Sequence, residues 1–305
     1  MVRTRVLQTL FAYYTDGEKT PSQAQKELVK SFADTYNLYA MLLALADELT
    51  TYVQNQITEQ EQRAKATHSA FAPNRRFADN SFANQIFQNK AIRHIMQSGH
   101  LSWDAGLNVM PALFKNLQEQ YYYQLFMEKE APTYEDEKEL WKKIYSLLLP
   151  DNTDLINALD ELELCLDQQN WETDLNVVLS YVVKTVKRFK QENGATQPLL
   201  PMFDSENELQ FAQDLLTESI AHTEEWSSII EKHLKNWDMA RVAFMDRVIL
   251  ILALTEINCF PEIAAQVSLN EYIELAKEYS SEKSYIFVNG ILDEIIKEQQ
   301  TFKIQ

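Results

Sequence analysis

Only five of the 305 residues are glycine, and they stand far apart, at Gly17, Gly99, Gly106, Gly194 and Gly290. Globular chains carry about 7% glycine on average, because tight turns and phosphate-cradling loops need backbone without a Cβ. No two of these five are close enough to build a Rossmann or a Walker loop. Folds made of tight hairpins are equally short of turn residues. What is left is a long, nearly all-helical chain. Hydrophobic residues at 46% and aromatics at 11% supply ample core, and the length allows one large domain or two ordinary ones.

The formal charge is −17, so the field of the whole chain repels nucleic acid and any polyanion has to meet a local basic patch. The two cysteines, Cys165 and Cys259, have no metal or redox spacing and read as reduced thiols of a cytoplasmic protein. The opening MVRTRVLQTLFAYYTDGEK is basic and then apolar, but Gln8 interrupts the apolar stretch and no small-residue cleavage site precedes Asp16 and Glu18, so export is not expected. The longest apolar run, Val248 to Leu254, has 7 residues, where a bilayer span needs about 20. No membrane partner is expected.

Val2, Val6, Leu7, Leu10, Phe11 and Tyr14 recur at helical spacing and predict one apolar stripe over residues 2 to 14. Arg3 falls in line with that stripe at its open end, and Arg5 lies on the opposite face, free for solvent or ligand. Turn residues from Thr15 to Pro21 close this helix, and Ser22 is the expected cap of the next. A further helix is expected from about Thr35 to Ile57. Gln191 to Pro201, with Gly194, Pro198 and Pro201, reads as a linker. Beyond it four helical segments are expected, at Asn207 to His233, Trp237 to Cys259, Leu269 to Tyr279 and Ser284 to Gln299. The third has a capping-box pattern in Ser268 and Glu271. Met239 to Ile257 is apolar on nearly all faces, which predicts the buried centre of a bundle.

Residues 68 to 100 carry a net charge of +3 and include Arg75 and Arg76 with Phe71, Phe77, Phe82 and Phe87 nearby. Basic residues interleaved with rings suit single-stranded RNA, and phenylalanines near helical spacing equally suit a core. Glu128 to Asp174 holds 14 acidic and 4 basic residues and reads as solvated helix face without metal-site spacing. Enzymatic constellations are missing: there is no HExxH, no G-x-S-x-G and no CxxC, and His94 and His100 are six residues apart. The reading is of a protein without catalytic residues, metal or cofactor.

Specific signal enters in the last third. The blocks Asn236-Trp237-Asp238-Met239-Ala240-Arg241, Met245-Asp246-Arg247-Val248-Ile249-Leu250, Ala253-Leu254-Thr255-Glu256-Ile257, Val267-Ser268-Leu269-Asn270-Glu271-Tyr272-Ile273-Glu274-Leu275-Ala276-Lys277 and Phe287-Val288-Asn289-Gly290-Ile291-Leu292-Asp293 closely resemble, in order and spacing, the C-terminal half of the NusB transcription antitermination family. Arg3, Gln8, Leu10 and Phe11 resemble the family's opening helix. Read by themselves, Asn270 and Glu271 open a helix that buries Ile273, Leu275 and Ala276. Gly290 costs about 1 kcal/mol in a helix relative to alanine, so another helix or a ligand is expected to approach there. Asp246 is expected to pair with Arg247 or Arg241. For Asn289, Gly290 and Asp293 the packing role is preferred to RNA contact.

The resemblance implies an all-α fold of two packed helical bundles with an extra helical insertion. The expected division is 1–34 for the N-terminal helices, 35–203 for the insertion and 204–305 for the C-terminal part. It implies an RNA-binding antitermination factor that recognises boxA-like single-stranded RNA together with the ribosomal protein NusE, within the RNA polymerase antitermination complex. The RNA-contact candidates it points to are Arg3, Arg5, Lys277, Lys283, Tyr285 and Phe287. Tyr285 is the preferred stacking ring, Phe287 doubles as a core candidate, and Arg75 with Arg76 form a secondary surface. The alternative is an interaction module of the same fold with little or no RNA binding.

Overall fold

The computed structural model describes residues 2–70, 72–166, 171–203, 205, 207–234 and 241–303. Phe71, the side chain of Cys165 and the string from Asn236 to Ala240 lie outside the described residues. In chain order the helices are α1 (Val2–Thr15), α2 (Pro21–Ala66), α3 (Ser81–Gln88), α4 (Lys90–Ser98), α5 (Met110–Gln118), α6 (Tyr121–Glu128), α7 (Tyr134–Lys143), α8 (Thr153–Leu166), α9 (Trp171–Arg188), α10 (Asn207–Ala221), α11 (Thr223–His233), α12 (Phe244–Cys259), α13 (Ala265–Tyr279) and α14 (Ser284–Lys303). Among the described residues there is no strand, and the fold is all-α. The chain forms two compact units, one of residues 1–32 and 203–305, the other of residues 33–202.

The first unit is organised around α12, which packs against α1, α10, α11, α13 and α14. Its residues from Val248 to Glu256 are all buried, as an all-apolar segment requires. Helix α1 is enclosed more fully than its apolar stripe predicts: Arg5 and Thr9, away from the stripe, are buried as well.

Helix α2 is one uninterrupted helix of 46 residues, where the sequence suggests two. Pro21 starts it at a position where the missing N–H costs nothing, and no glycine or further proline interrupts it. Its apolar stripe changes owner. Ala24, Leu28 and Phe32 are buried in the first unit, with Phe32 set edge-on to Phe203 at 5.1 Å. From Leu38 onward α2 contributes to the core of the second unit.

That second core joins α2 to α3, α5, α7, α8 and α9 around Phe77, Phe82, Trp103, Trp141 and Tyr145. Two of its buried polar atoms bond the backbone of α2: Trp103 Nε1 donates to Met41 O at 2.9 Å, and the Tyr145 hydroxyl to Leu42 O at 2.9 Å, whereas the buried Trp141 Nε1 has no partner among the described residues. Within the acidic stretch, Glu137 is buried rather than solvated. It accepts from the backbone N–H groups of Ser81 at 2.9 Å and Phe82 at 3.1 Å, and from the Ser81 hydroxyl, so it caps α3. The segment from Gln191 to Pro201 is not a free linker. Gln191–Thr196 is a 3-10 turn that Gly194 closes at φ +48°. Gln85 donates to Lys190 O and Gly194 O, Asn89 to Gln197 O at 2.9 Å, and Tyr36 to Leu200 O at 2.9 Å.

Candidate functional site

Glu256, one turn before the end of α12, is wholly buried and accepts four hydrogen bonds. Arg3 Nε and Nη2 each donate to one of its oxygens at 2.8 Å, Ser268 Oγ donates at 2.7 Å and the Tyr272 hydroxyl at 2.9 Å. Arg3 also stands 3.6 Å from Glu271 and 5.5 Å from the centre of the Phe211 ring. Burial lowers the Arg3 pKa, but the hydrogen bonds and charge of Glu256 outweigh that and raise it. Burial, then the charge of Glu256, push the Tyr272 hydroxyl far up, so it serves as a neutral donor. The Arg3 guanidinium is therefore committed inside the protein rather than projecting past the helix end. Ser268 does not cap α13, which begins at Ala265 without a side-chain cap; its hydroxyl is spent on Glu256.

Arg5 is not free for solvent. It is 5% exposed, donates to Gln8 Oε1 at 3.0 Å, and its charge is felt at Tyr279 near the end of α13. The enclosure of α1 on both sides accounts for this. At the other end of α12, Asp246 is buried and forms no ion pair with Arg241 or Arg247 among the described contacts. It accepts from Ser280 Oγ at 2.5 Å and Ser284 Oγ at 2.9 Å, fastening the turn between α13 and α14. Arg241 is exposed, and Arg247 lies over the Phe244 ring at 5.1 Å. These serine partners lie 34 and 38 residues from Asp246, a separation that no local motif encodes.

The fastened turn presents the remaining candidates. Lys277 is 46% exposed, bonds Glu274 Oε1 at 2.6 Å and holds its ammonium 5.6 Å from the centre of the half-buried Tyr285 ring. Lys283 is exposed, Phe287 is half-buried and Ile286 is 56% exposed. Asn289 and Gly290 face outward, one turn along from Tyr285 and Ile286. A Cβ at Gly290 would meet nothing within 4 Å. No described helix approaches there, so the helix packing expected of Gly290 and Asn289 is absent among the described residues. Asp293 pairs with Lys297 at 2.5 Å, and exposed Asn270 accepts from Gln266 at 3.3 Å.

In the second unit the arginine-phenylalanine stretch resolves into structure. Phe77 and Phe82 are core, whereas Phe87 is 54% exposed. Arg75 grips Asp79 at 2.9 and 3.1 Å and reaches Glu61 at 3.4 Å, while Arg76 is half-buried. Its carboxylate partners leave Arg75 with little charge to offer a phosphate. Among the described residues, the one group of His, Cys and carboxylate side chains close enough to share a metal ion is Glu218, His222 and Cys259. No described helix is long and apolar enough to cross a membrane.

Residues 181–297 match the model of the NusB family. The chain is 38% identical over 121 residues to the transcription antitermination protein NusB of Salinibacter ruber, an alignment covering 38% of this chain and 76% of that protein. It is 36% identical over 96 residues to the transcription antitermination protein NusB of Finegoldia magna, covering 32% of this chain and 70% of that protein. No solved structure matches the chain.

Proposed function

The chain belongs to the NusB family, and on that premise we propose that it acts in transcription antitermination by binding boxA-like single-stranded RNA together with NusE, promoting read-through in ribosomal RNA operons. The observation that carries this is the Lys277 ammonium poised over the Tyr285 ring, beside exposed Lys283 and the open edge at Asn289 and Gly290. Lysines neutralise phosphates, a tyrosine face stacks on an unpaired base, and an outward amide offers hydrogen bonds to a base edge. Arg3 and Arg5 act here by holding α1 in place, and the contact surface is the turn between α13 and α14.

The test is a titration of the purified protein against boxA-like and scrambled single-stranded RNA, with and without NusE, at two salt concentrations. Sequence-selective binding, strengthened by NusE and weakened by salt, is expected, because phosphate neutralisation releases counterions. A second reading, an interaction module that binds NusE without RNA, is favoured by one observation: both N-terminal arginines are engaged within the protein. Binding of NusE with no RNA bound in any condition selects that reading.

A further inference from the structure

We propose that Glu218, His222 and Cys259 form a binding site for a divalent transition metal, with Zn2+ as the ion their donors suit best. The three come from separate places in the sequence: the last turn of α10, the break between α10 and α11, and the final residue of α12. One ligand atom from each lies within 4.8 Å of the other two. His222 Nε2 is 3.3 Å from Glu218 Oε2, about the spacing of two ligands on a tetrahedral zinc ion bound at roughly 2.0–2.3 Å.

The groups around that cluster fit a bound cation as well. His222 Nδ1 lies 2.8 Å from Glu225 Oε2, the outer carboxylate that metal-bound histidines use to fix ring and tautomer. A neutral imidazole has one N–H. With that N–H directed at Glu225, Nε2 aims its lone pair to the side of Glu218 Oε2, so that one cation can accept from both. The indole of Trp226, itself buried, lies 5.6 Å from the imidazole and holds the ring in this orientation.

The donor set selects the ion. Calcium and magnesium take oxygen ligands, whereas one nitrogen, one sulfur and one carboxylate oxygen suit zinc. Glu218 and Glu225 add negative charge that a dication offsets. On binding, the Cys259 thiol gives its proton to solvent and the sulfur coordinates as thiolate. Glu218 and His222 are both partly exposed, so water fills the fourth position and the ion exchanges with solvent. The bound metal ties the end of α12 to the junction of α10 and α11. Sequence spacing hides the site, because Cys259 is 37 residues beyond His222.

The experiment strips the full chain with a chelator, titrates it with Co2+ as an optical probe, and measures Zn2+ affinity by competition with a chromogenic chelator. One equivalent of Co2+ is expected to give a thiolate-to-cobalt charge-transfer band, retained in Cys165→Ser and lost in Cys259→Ser. His222→Gln is expected to weaken Zn2+ binding tenfold or more. Glu225→Gln, which leaves every ligand in place, is expected to weaken it by about tenfold. Far-UV circular dichroism verifies that each variant is folded. No charge-transfer band in the parent protein, a band that survives Cys259→Ser, or Zn2+ affinity unchanged in both His222→Gln and Glu225→Gln would overturn the proposal.

Discussion

Arg3 and Glu256 form a two-pronged ion pair across 253 residues of sequence, each nitrogen of the fork 2.8 Å from its own carboxylate oxygen. Glu256 lies within the stretch that matches the NusB family and Arg3 lies outside it, so this pair joins the first helix to the matched region. Removing one partner of a buried pair typically costs about 3–5 kcal/mol. With Arg3 still 21% exposed, Arg3→Ala is expected to cost roughly 2–4 kcal/mol. Adding Glu256→Gln removes the uncompensated charge and restores part of the loss. Urea unfolding of both single variants and the double variant measures this; a neutral Arg3→Ala contradicts it.

The turn that carries Lys283 and Tyr285 depends on Asp246. Replacing Asp246 with Ala removes the carboxylate acceptor of buried Ser284 and half-buried Ser280, which keep only their bonds within the serine cluster, and is expected to cost about 1–3 kcal/mol. Amide exchange should speed up at residues 280–284, and RNA affinity should fall with it. Unchanged exchange at that turn would refute the anchoring role.

At the surface, Tyr285→Ala is expected to lose about 1–3 kcal/mol of RNA binding through lost stacking. Lys283→Ala is expected to weaken all RNA sequences alike and to lower the salt slope by about 0.7. Equal loss of selectivity in both variants would show that the roles are misassigned.

Gly290 sits in open space within α14. Gly290→Ala is therefore expected to stabilise the protein by about 0.5–1 kcal/mol. Thermal unfolding decides this, and a destabilised variant would mean that something in the chain packs there.

Half-buried Asp47 is pushed up from its usual 3.8 to about 6 by burial. A carboxyl with a raised folded pKa penalises folding once the unfolded chain's carboxyl ionises, so its cost is small at about pH 4 and below, grows between about pH 4 and 6, and is present in full above that. Asp47→Asn is expected to raise stability at about pH 7.5 and to change little near pH 4. Solvent screening holds the gain to roughly 1 kcal/mol or less. Urea midpoints at the two pH values test the sign.

Much of the fold is legible in periodicity, and the site is not. The apolar faces of Val248 to Leu254 require a buried helix wherever they occur, and α12 is that helix. The single helix α2 reads as two because its buried stripe serves one core through Phe32 and another from Leu38. Ser268 looks like a cap, since Glu271 follows three positions later. Its hydroxyl instead finds Glu256, a partner that only the tertiary fold supplies. The family resemblance points to Arg3 and Arg5 as RNA contacts, and their sequence neighbourhood shows a charge but neither the Glu256 carboxylate that Arg3 binds nor the burial of Arg5.

The most direct test of the account is transcription past a terminator on a boxA-containing template, with NusE, comparing the parent protein with the Lys283→Ala, Tyr285→Ala double variant. The account predicts boxA-dependent read-through with the parent protein and loss of that read-through in a variant that is as stable as the parent. Read-through that ignores boxA, or that survives both substitutions, would contradict it.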